Sequence, residues 1–181
     1  MNSSRVIRET SSKDLQHILE VEKAAFGSDE EAGLVYDLLQ DPSAEPILSL
    51  LLFELDEPVG HIIFSRAIFE PPLDLNARIL GPLAVVPSRQ KSGIGSMLVE
   101  RGIAMLKDQG VDWVFVLGHE SYYPRFQFSP AIPQGFEPPY PIPSKFTNAW
   151  MARALSPTCI APYQGRVIPA DSFKHPRYWR E

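Results

Sequence analysis

The sequence predicts an α/β fold in which helices flank a mixed β-sheet. Segments with the helical period of 3.6 residues alternate with apolar and β-branched runs typical of strands, in the order β-α-α-β-β-β-α-β-α-β. The turn "LDEPVG" joins two of these runs as a hairpin, which does not suit a purely parallel wound sheet. The chain has 181 residues, of which 44% are hydrophobic, and we therefore expect one domain over residues 1–181.

The first half of the chain carries a strand, two helices and a hairpin. "RVIRET" alternates as an edge strand does, and the serines after it can cap a helix whose apolar residues recur every three or four positions. "PILSLLLF" is an apolar run far too short to span a bilayer and is typical of a strand. These patterns predict a strand at 5–10, helices at 11–26 and 29–39, and strands at about 47–55 and 58–69.

The second half of the chain begins with a strand that a glycine and a proline interrupt. Gly81-Pro82 predicts a bulge in this apolar run, and Gly110 predicts the end of the helix that follows it. Residues 129–144 hold six prolines, which exclude a regular helix or central strand and predict a long ordered loop. The predicted elements are a strand at about 78–86, a helix at 93–109, strands at 112–118 and 148–155, and a short last strand within 163–173, before a peripheral tail that ends at Glu181.

Composition and charge restrict the classes of partner. The net charge of −5 argues against nucleic-acid binding, which needs clustered lysine and arginine, and suits a cationic small molecule or peptide better. The single cysteine, Cys159, excludes a disulfide framework within one chain. The histidines at 17, 61 and 175 lack the spacing of metal ligands, so we expect no metal. The N-terminus lacks the apolar core of a signal peptide and no run could span a membrane, so we expect a cytoplasmic protein.

A glycine-rich segment at 88–98 follows the predicted strand at 78–86 and opens a predicted helix. A strand, a glycine loop and a helix in this order commonly hold a phosphate. A P-loop needs a Gly-Lys pair, which this segment lacks. The dinucleotide fingerprint G-x-G-x-x-G/A fails at its third position, Leu98, and its acidic residue, Glu120, comes late. The pattern Q/R-x-x-G-x-G/A fits "QKSGIG" without departure, although a plain turn from loop to helix would fit as well.

The residue types of "QKSGIG", residues 90–95, suit a pyrophosphate. Gly93 and Gly95 lack the Cβ atoms that would keep the backbone away from an anion. The amides of residues 92–96 are unpaired at the start of a helix and point at the anion, and the helix dipole adds partial positive charge there.

The surroundings of this loop carry a family resemblance. "LAVVPSRQKSGIGSMLVERGIAMLKDQGVDWVFVLGHESYYPRFQF", residues 83–128, resembles the core of the GNAT N-acetyltransferase superfamily, within it a bacterial branch with "GPLAV", "VLGH" and "YYPRFGF"-like segments. The resemblance extends over about 5–155, which implies a GNAT-like core there and a C-terminal extension at 156–181. It further implies a mixed, mostly antiparallel central sheet flanked by helices, a bulged strand before the cofactor loop, and acetyl-CoA as the co-substrate.

The resemblance also implies where acetyl-CoA binds. The backbone of Leu83, Ala84 and Val85 is expected to pair with the pantetheine arm as an added strand would. Arg89 and Lys91 could reach other phosphates of the cofactor. The residues expected to hold the pyrophosphate are Gln90, Lys91, Ser92, Gly93, Ile94, Gly95 and Ser96.

The implied reaction is direct transfer of the acetyl group from the thioester to an amine, with an amide near Val85 stabilising the oxyanion. The family often protonates the leaving thiolate with a tyrosine four residues before a "GF" pair. The pair is "QF" here, the tyrosine is Tyr123, and Tyr122 is the neighbouring candidate. A lysine-like amine with a pKa of about 10.4 is neutral in about one molecule in 2,500 at pH 7, so a base or desolvation has to favour the neutral form. "ARILGPLAVV" carries no carboxylate, which leaves His119, Glu120 or a base acting through water.

Two classes of function remain open at this point. We predict a cytoplasmic N-acetyltransferase that moves an acetyl group from acetyl-CoA to a primary amine. The alternative is a catalytically weak acetyl-CoA-binding sensor or interaction module of the same fold, which the missing strand carboxylate and Gln127 favour. A toxin-like acetylator of charged tRNA would need a basic face, which this acidic chain does not suggest.

The acceptor side of the site is predicted in outline. The aromatic and proline-rich segment 122–150 is expected to form a wall of the acceptor pocket. The first turn of the second helix commonly lines the acceptor side in proteins of this resemblance, and negative charge there attracts ammonium groups. We therefore expect cationic amines to be better acceptors than amino acids with a free carboxylate. The carboxylates concerned are Asp29, Glu30, Glu31 and Glu120.

Overall fold

The computed structural model describes residues 4–159 and 162–180 and has the predicted α/β architecture. In these residues three α-helices flank the sheet: α1 (Leu15–Phe26), α2 (Glu30–Leu38) and α3 (Ile94–Asp108). None of the helices in the described ranges is long and apolar enough to cross a membrane. The strands are β1 (Arg5–Glu9), β2 (Leu48–Glu54), β3 (Glu57–Glu70), β4 (Ala77–Val85), β5 (Trp113–Leu117), β6 (Ser129–Pro130), β7 (Phe136–Glu137), β8 (Trp150–Ala154) and β9 (Gly165–Ile168).

The sheet is mixed and mostly antiparallel, as the resemblance implies. Its main order is β1-β2-β3-β4-β5-β8-β6, and β9 pairs with the far end of β3 and with β7. In the main path the pairing of β4 with β5 is parallel, because α3 connects these two strands as a crossover, and the other pairings are antiparallel. The parallel pair of the main path therefore lies in the middle of the sheet, and the glycine loop lies in the connection between its two strands. The short strands β7 and β9 form a second parallel pair.

Two apolar clusters cover the two faces of the sheet. Successive residues of β3 point to opposite faces, so Ile63 packs with α1, α2 and the C-terminal residues, whereas Phe64 packs with α3. Val35 of α2 and Leu98 of α3 are both fully buried in their respective clusters. The helices are thus held by burial of one apolar face each, and the sheet separates them.

The predicted bulge is present and opens the sheet. Ile62 of β3 pairs with Leu83, and Phe64 pairs with Leu80, so β4 has one residue more than β3 in this interval, at Gly81-Pro82. In the described residues β4 pairs with β5 only over its first three residues, Ala77–Ile79. The two strands separate beyond that point, which leaves a gap in the middle of the sheet.

The prediction of a peripheral tail is wrong for its described part, and Glu181 lies outside the described residues. Trp179 is 2% exposed and Phe173 is 7% exposed, and both belong to the apolar cluster under α1 and α2. The indole Nε1 of Trp179 donates to the carbonyl oxygen of Phe173 at 2.9 Å. Asp41 accepts hydrogen bonds from the amide and the hydroxyl of Ser172 at 2.8 and 2.7 Å, which hold the C-terminal tail against the domain. Large aromatic side chains gain most from burial, which explains why this segment packs inward.

Candidate functional site

A cavity of about 480 Å³ opens where β4 and β5 separate, and we call it the β4–β5 cavity. Residues 79–83 of β4 and 116–119 at the end of β5 form two of its walls. The C-terminal end of α1, the first turn of α2 and the tail at 177–180 close it from the α1–α2 face. Of the predicted wall at 122–150, only Tyr122 and Tyr123 line the cavity among the described residues, so the prediction is wrong for the proline-rich part. The bulge therefore creates a cleft in an otherwise continuous sheet.

The edge of β4 beside this cleft has backbone groups that point away from β3. The amide of Val86 donates to the carbonyl oxygen of Val59 on β3 at 3.0 Å. Since backbone groups alternate along a strand, those of Ala84 also face β3, whereas those of Leu83 and Val85 face the cleft. The side-chain amide of Gln90 donates to the Val85 carbonyl oxygen at 3.1 Å. Of the three predicted strand residues, Leu83 and Val85 thus offer their backbone to the cleft, and Ala84 does not.

The glycine loop leads from this edge to the start of α3. Gly93 has φ +86° and Lys91 has φ +59°, both in the left-handed region that favours glycine. The first hydrogen bond of the helix runs from the amide of Met97 to the carbonyl oxygen of Gly93 at 3.0 Å. The amides of residues 94–96 therefore precede the helical ladder, as an anion site requires. Ile94 is 1% exposed, so only its amide is available to a ligand.

Gly95 brings a tyrosine to the first turn of α3. A Cβ atom at Gly95 would lie 2.6 Å from the phenol oxygen of Tyr122, so glycine permits this approach. Burial raises the pKa of the Tyr122 phenol, and a hydrogen bond with Ser96 opposes that shift. The guanidinium of Arg125 lies over the Tyr122 ring, 4.7 Å from its centroid. Tyr122 therefore lies at the glycine loop.

Tyr123 lies deeper, between the β4–β5 cavity and the apolar cluster that packs under α3. Its side chain is 9% exposed, and its ring lies edge-on to Tyr122 and Phe128, with centroids 5.0 and 5.8 Å apart. Gln127 has φ +65°, so it adopts the left-handed conformation that a glycine would favour at this position. Although glutamine replaces the glycine of the "GF" pair, the backbone of this turn keeps the conformation that glycine favours. The turn is compatible with the alignment that selects Tyr123.

The two predicted base candidates differ in position. His119 lines the β4–β5 cavity directly after β5. Glu120 is exposed in the following turn and is not among the described residues that line the cavity. Within the described ranges no group of three or more His, Cys, Asp or Glu side chains is arranged to hold a metal ion. The geometry thus favours His119 over Glu120 as a group that a substrate in the cavity can reach.

An ion-pair network that the sequence analysis missed braces the glycine loop. Arg5 of β1 donates from Nη1 to the carbonyl oxygen of Ser92 at 3.0 Å and from Nε to Glu54 at 2.9 Å. Arg89 donates to the same carboxylate. Hydrogen bonds from Arg5 and Arg89 lower the pKa of the Glu54 carboxyl. Arg89, predicted to reach cofactor phosphates, is thus paired within the protein. No motif or spacing rule joins Arg5 to Glu54, so this network was not predictable from the sequence.

The tail brings positive charge to the β4–β5 cavity, which the sequence analysis also missed. Arg177 and Arg180 line the cavity together with Glu30 and Glu31 of α2. The Nε atom of Arg177 lies 3.5 Å from a carboxylate oxygen of Glu30. Asp29, the third predicted carboxylate, pairs with Lys23 of α1 at 3.0 Å. The mouth of the cavity therefore carries both signs of charge rather than negative charge alone. The run "RYWR" was the only sequence signal for this.

Comparison with known proteins agrees with this architecture. The model of the Acetyltransferase (GNAT) family matches residues 13–124. The chain is 46% identical over 149 residues to the uncharacterized N-acetyltransferase YjhQ of Escherichia coli (strain K12). The aligned region covers 81% of this chain and 82% of YjhQ. The crystal structure of the GNAT family N-acetyltransferase YhbS from Escherichia coli in complex with CoA is similar at a TM-score of 0.87 and 26% identity, over 97% of this chain and 94% of that one.

A second crystal structure extends the comparison. A GNAT family acetyltransferase from Brucella melitensis in complex with acetyl-CoA is similar at a TM-score of 0.75 and 28% identity, over 95% of this chain and 99% of that one. The family match covers more than half of the chain. The mixed, mostly antiparallel sheet and the bulged strand before the glycine loop are features that the resemblance implied. The chain belongs to the GNAT acetyltransferase family.

Proposed function

We propose that the protein transfers an acetyl group from acetyl-CoA to a primary amine. The observation that carries the proposal is the cleft between β4 and β5, whose open strand edge leads directly into the start of α3. A pantetheine arm can pair with the edge at Leu83 and Val85, and a pyrophosphate can lie at the helix start. The complexes of YhbS with CoA and of the Brucella melitensis protein with acetyl-CoA support this co-substrate.

The residues of the loop fit this co-substrate in two physical respects. Gly93 supplies the left-handed turn that starts α3, and the amides of residues 94–96 are not used by the helix. The side-chain amide of Gln90 donates a hydrogen bond to the carbonyl oxygen of Val85. A hydrogen bond from a ligand to that carbonyl can replace it. Gln90, Lys91, Ser92, Gly95 and Ser96 complete the predicted cradle.

The protein's own groups then have separate tasks. The co-substrate supplies an activated acetyl group as a thioester. The amide of Val85, which faces the cleft, stabilises negative charge on the carbonyl oxygen in the transition state. Tyr123 donates a proton to the leaving thiolate, and Tyr122 holds the start of α3 through Ser96. His119, at the wall of the cavity, is the residue that we assign as the base for the acceptor amine.

The acceptor is a primary amine that enters on the α2 side of the cavity. Glu30 and Glu31 attract ammonium groups, so the preference for cationic amines over amino acids stays a prediction. Arg177 and Arg180 reduce that preference, because they offer partners to an anionic group on the acceptor. An acceptor panel therefore has to contain amines of both kinds.

The alternative function is binding of acetyl-CoA without efficient turnover. One observation favours it, since β4 carries no carboxylate that could serve as a base. The second argument for it, Gln127, is weaker now because that residue has the backbone conformation typical of glycine. The two functions predict the same binding of acetyl-CoA and different rates of release of free CoA.

Release of free CoA in the presence of an amine panel separates the two functions. The panel contains polyamines, an aminoglycoside, a lysine peptide, neutral amino acids and amines that carry a phosphate. We expect amine-dependent release, with kcat/KM for cationic amines falling as ionic strength rises from about 0.01 to 0.15 M, where the Debye length shrinks from about 30 to 8 Å. Binding of acetyl-CoA without amine-dependent release from any member would support the sensor instead. Higher kcat/KM for the phosphate-bearing amines would reverse the predicted charge preference and leave the transferase intact.

A further inference from the structure

Three buried polar side chains form a continuous hydrogen-bonded chain under α1. His61 of β3 and Glu22 of α1 are both fully buried, and the His61 Nδ1 atom lies 2.5 Å from Glu22 Oε1. The other ring nitrogen, Nε2, lies 2.9 Å from the hydroxyl of Ser49 on β2. An uncompensated buried carboxylate is costly, and an apolar helix face would have packed here without that cost. The function proposed above assigns no task to these three side chains.

The three side chains extend from one cavity towards another. At one end, Ser49 lines a second cavity of about 460 Å³ between the start of α1, the end of α2 and the start of β2, which we call the far cavity. At the other end, Glu22 lies one helical turn before Phe26, which lines the β4–β5 cavity. His61, between them, pairs in register with Ala84 of β4. The three groups therefore cross the α1–α2 face of the sheet from one cavity towards the other.

One atom of this chain is unsatisfied and points to a further partner. In the described part of the structure the second carboxylate oxygen of Glu22, Oε2, is buried and has no hydrogen-bond partner. Buried polar atoms without a partner are uncommon and are found where a group takes part in chemistry. Glu22 Oε2 is thus available to accept a hydrogen bond or a proton.

We propose that Glu22, His61 and Ser49 form a proton path that carries the proton lost by the acceptor amine from the β4–β5 cavity to the far cavity. This inference rests on the proposed acetyl transfer, because only that reaction releases the proton. The ammonium form of the acceptor gives one proton to Glu22 Oε2 through an intervening water. Glu22 passes a proton from Oε1 to Nδ1 of His61. His61 passes one from Nε2 to Ser49, and Ser49 passes one to solvent in the far cavity.

The remaining steps balance the reaction. The neutral amine nitrogen forms a bond to the acetyl carbon, and the bond between that carbon and sulfur breaks. The second proton leaves the nitrogen to His119 as the amide forms, and Tyr123 gives its proton to the sulfur. Exchange through water restores His119 and Tyr123, so free CoA and the N-acetylated amine are the products. One proton is released in total, and it is the one that leaves through Glu22. The path supplies the acceptor that β4, without a carboxylate, does not.

The charges around Glu22 are compatible with this role. Burial raises the pKa of the Glu22 carboxyl, while hydrogen bonding and attraction by His61 oppose the shift. Glu31 of α2, a residue that lines the β4–β5 cavity, also raises this pKa by repulsion. A carboxyl with a raised pKa holds a proton more readily than an exposed one, as an intermediate in proton transfer must.

Kinetics of three variants test the proton path. Glu22→Gln keeps the shape and the hydrogen bond to His61 but cannot take up a proton, and Ser49→Ala removes the outlet. Ser65→Ala is the matched control, since Ser65 is also a buried serine of the sheet and its hydroxyl has no partner among the described residues. The wild-type protein and the variants are assayed with acetyl-CoA and the best amine of the panel between pH 6 and 9. Melting temperatures report whether each variant is folded.

We expect Glu22→Gln to lower kcat at pH 7 about 100-fold, the lower end of proton-transfer effects, with unchanged KM for acetyl-CoA. The deficit should shrink as pH rises, because more of the amine is then neutral, and added imidazole should restore part of the rate. Ser49→Ala should lower kcat about tenfold, and Ser65→Ala should leave it unchanged.

Four results would overturn the proton path. The first is a folded Glu22→Gln protein with the kcat and pH profile of the wild type. The second, which applies if that variant does not fold, is an equal kcat for Ser49→Ala, Ser65→Ala and the wild type. The third is a deficit that neither pH nor imidazole reduces, since it would mark a structural role alone. The fourth is a wild-type protein that turns over no amine, which removes the proposed function and the path together, whereas the first three leave the proposed function standing.

Discussion

The two sides of the β4–β5 cavity are built in different ways. The side assigned to acetyl-CoA comes from one continuous stretch, residues 83–96, which contains the open edge of β4, the glycine loop and the start of α3. The acceptor side combines the first turn of α2, the end of β5 and the tail at 177–180, which are distant in sequence. A continuous stretch is shaped by local backbone rules, whereas a discontinuous wall depends on how separate elements pack. The first side should therefore respond to backbone changes and the second to changes in packing.

The largest expected effect is on the continuous side. Gly93→Val should abolish saturable binding of acetyl-CoA, because a β-branched residue at φ +86° is strained and would move the amides at the start of α3. Wild-type protein should gain about 2.7 kcal/mol of stability at an acetyl-CoA concentration 100 times Kd, and the variant should gain none. Thermal unfolding with and without acetyl-CoA measures this.

Gly110→Val is the control for backbone strain. Gly110 has φ +76° at the other end of α3, and a Cβ atom there would meet no atom within 4 Å, as at Gly93. Both variants should therefore lose a similar amount of stability, about 1–2 kcal/mol, but only Gly93→Val should lose the effect of acetyl-CoA. Equal stabilisation of Gly93→Val and wild type by acetyl-CoA would exclude the glycine loop as its site, and preferential stabilisation by NAD would restore the dinucleotide interpretation.

The next effect concerns the junction of the two sides. Tyr123→Phe should lower kcat about 100-fold with little change in the affinity for acetyl-CoA, because the ring keeps its packing and only the proton donor is lost. Tyr122→Phe is the comparison, since its hydroxyl contacts Ser96 and its loss should weaken acetyl-CoA binding more than kcat. Steady-state kinetics of both variants decide between them. A Tyr123→Phe protein with normal kcat and a lower melting temperature would reduce this residue to a packing role.

The smallest effect concerns the discontinuous side. Burial of Asp41 opposes ionisation, but hydrogen bonds from Ser43 and Ser172 outweigh it and lower the pKa of Asp41 to about 2. Because this folded pKa lies below the unfolded value of about 3.9, the stabilisation is fully present above about pH 4 and is lost as the pH falls towards 2. Asp41→Asn should remove this pH dependence, loosen the tail, and raise KM for the amine several-fold without changing acetyl-CoA affinity.

A surface pair in the same tail provides the control for Asp41→Asn. Asp171 pairs with Lys174 at 2.7 Å in an exposed position, so Asp171→Asn should have little effect on stability or KM. Melting curves at pH 2–7 and KM values for amine and acetyl-CoA test both variants. An unchanged amine KM in a folded Asp41→Asn protein would remove the tail from the acceptor site.

The fold was predictable because its signals are local. Strand and helix periodicity, the hairpin turn and the Gly81-Pro82 bulge each depend on residues close in sequence, and the structure has them within a few residues of the predicted bounds. The predicted order was wrong in its fourth helix, because the described residues between β5 and β8 form only short 3₁₀ helices and the strands β6 and β7. The tail was misjudged because nothing in "DSFKHPRYWR" repeats with a helical or strand period. Its burial follows from Trp179 and Phe173 filling space that other elements leave under α1 and α2.

The site was predictable along the chain and not across it. The glycine loop and Tyr123 are adjacent to recognisable motifs, but Arg177 and the pairing of Arg5 with Glu54 join residues from distant segments. The His61–Glu22 pair is the clearest example. Histidine spacing excluded a metal site at 61, yet no spacing rule connects a strand histidine to a helix glutamate that only tertiary packing brings within 2.5 Å.

A titration of ¹⁵N-labelled wild-type protein with acetyl-CoA, followed by amide NMR, tests the central claim most directly. We expect saturable shifts that are largest at the amide of Val85 and at residues 92–96, with little change around Ser49 in the far cavity. NAD at the same concentrations should leave these signals in place. Absence of saturable shifts, or shifts concentrated at the far cavity, would contradict the assignment of the continuous side to acetyl-CoA.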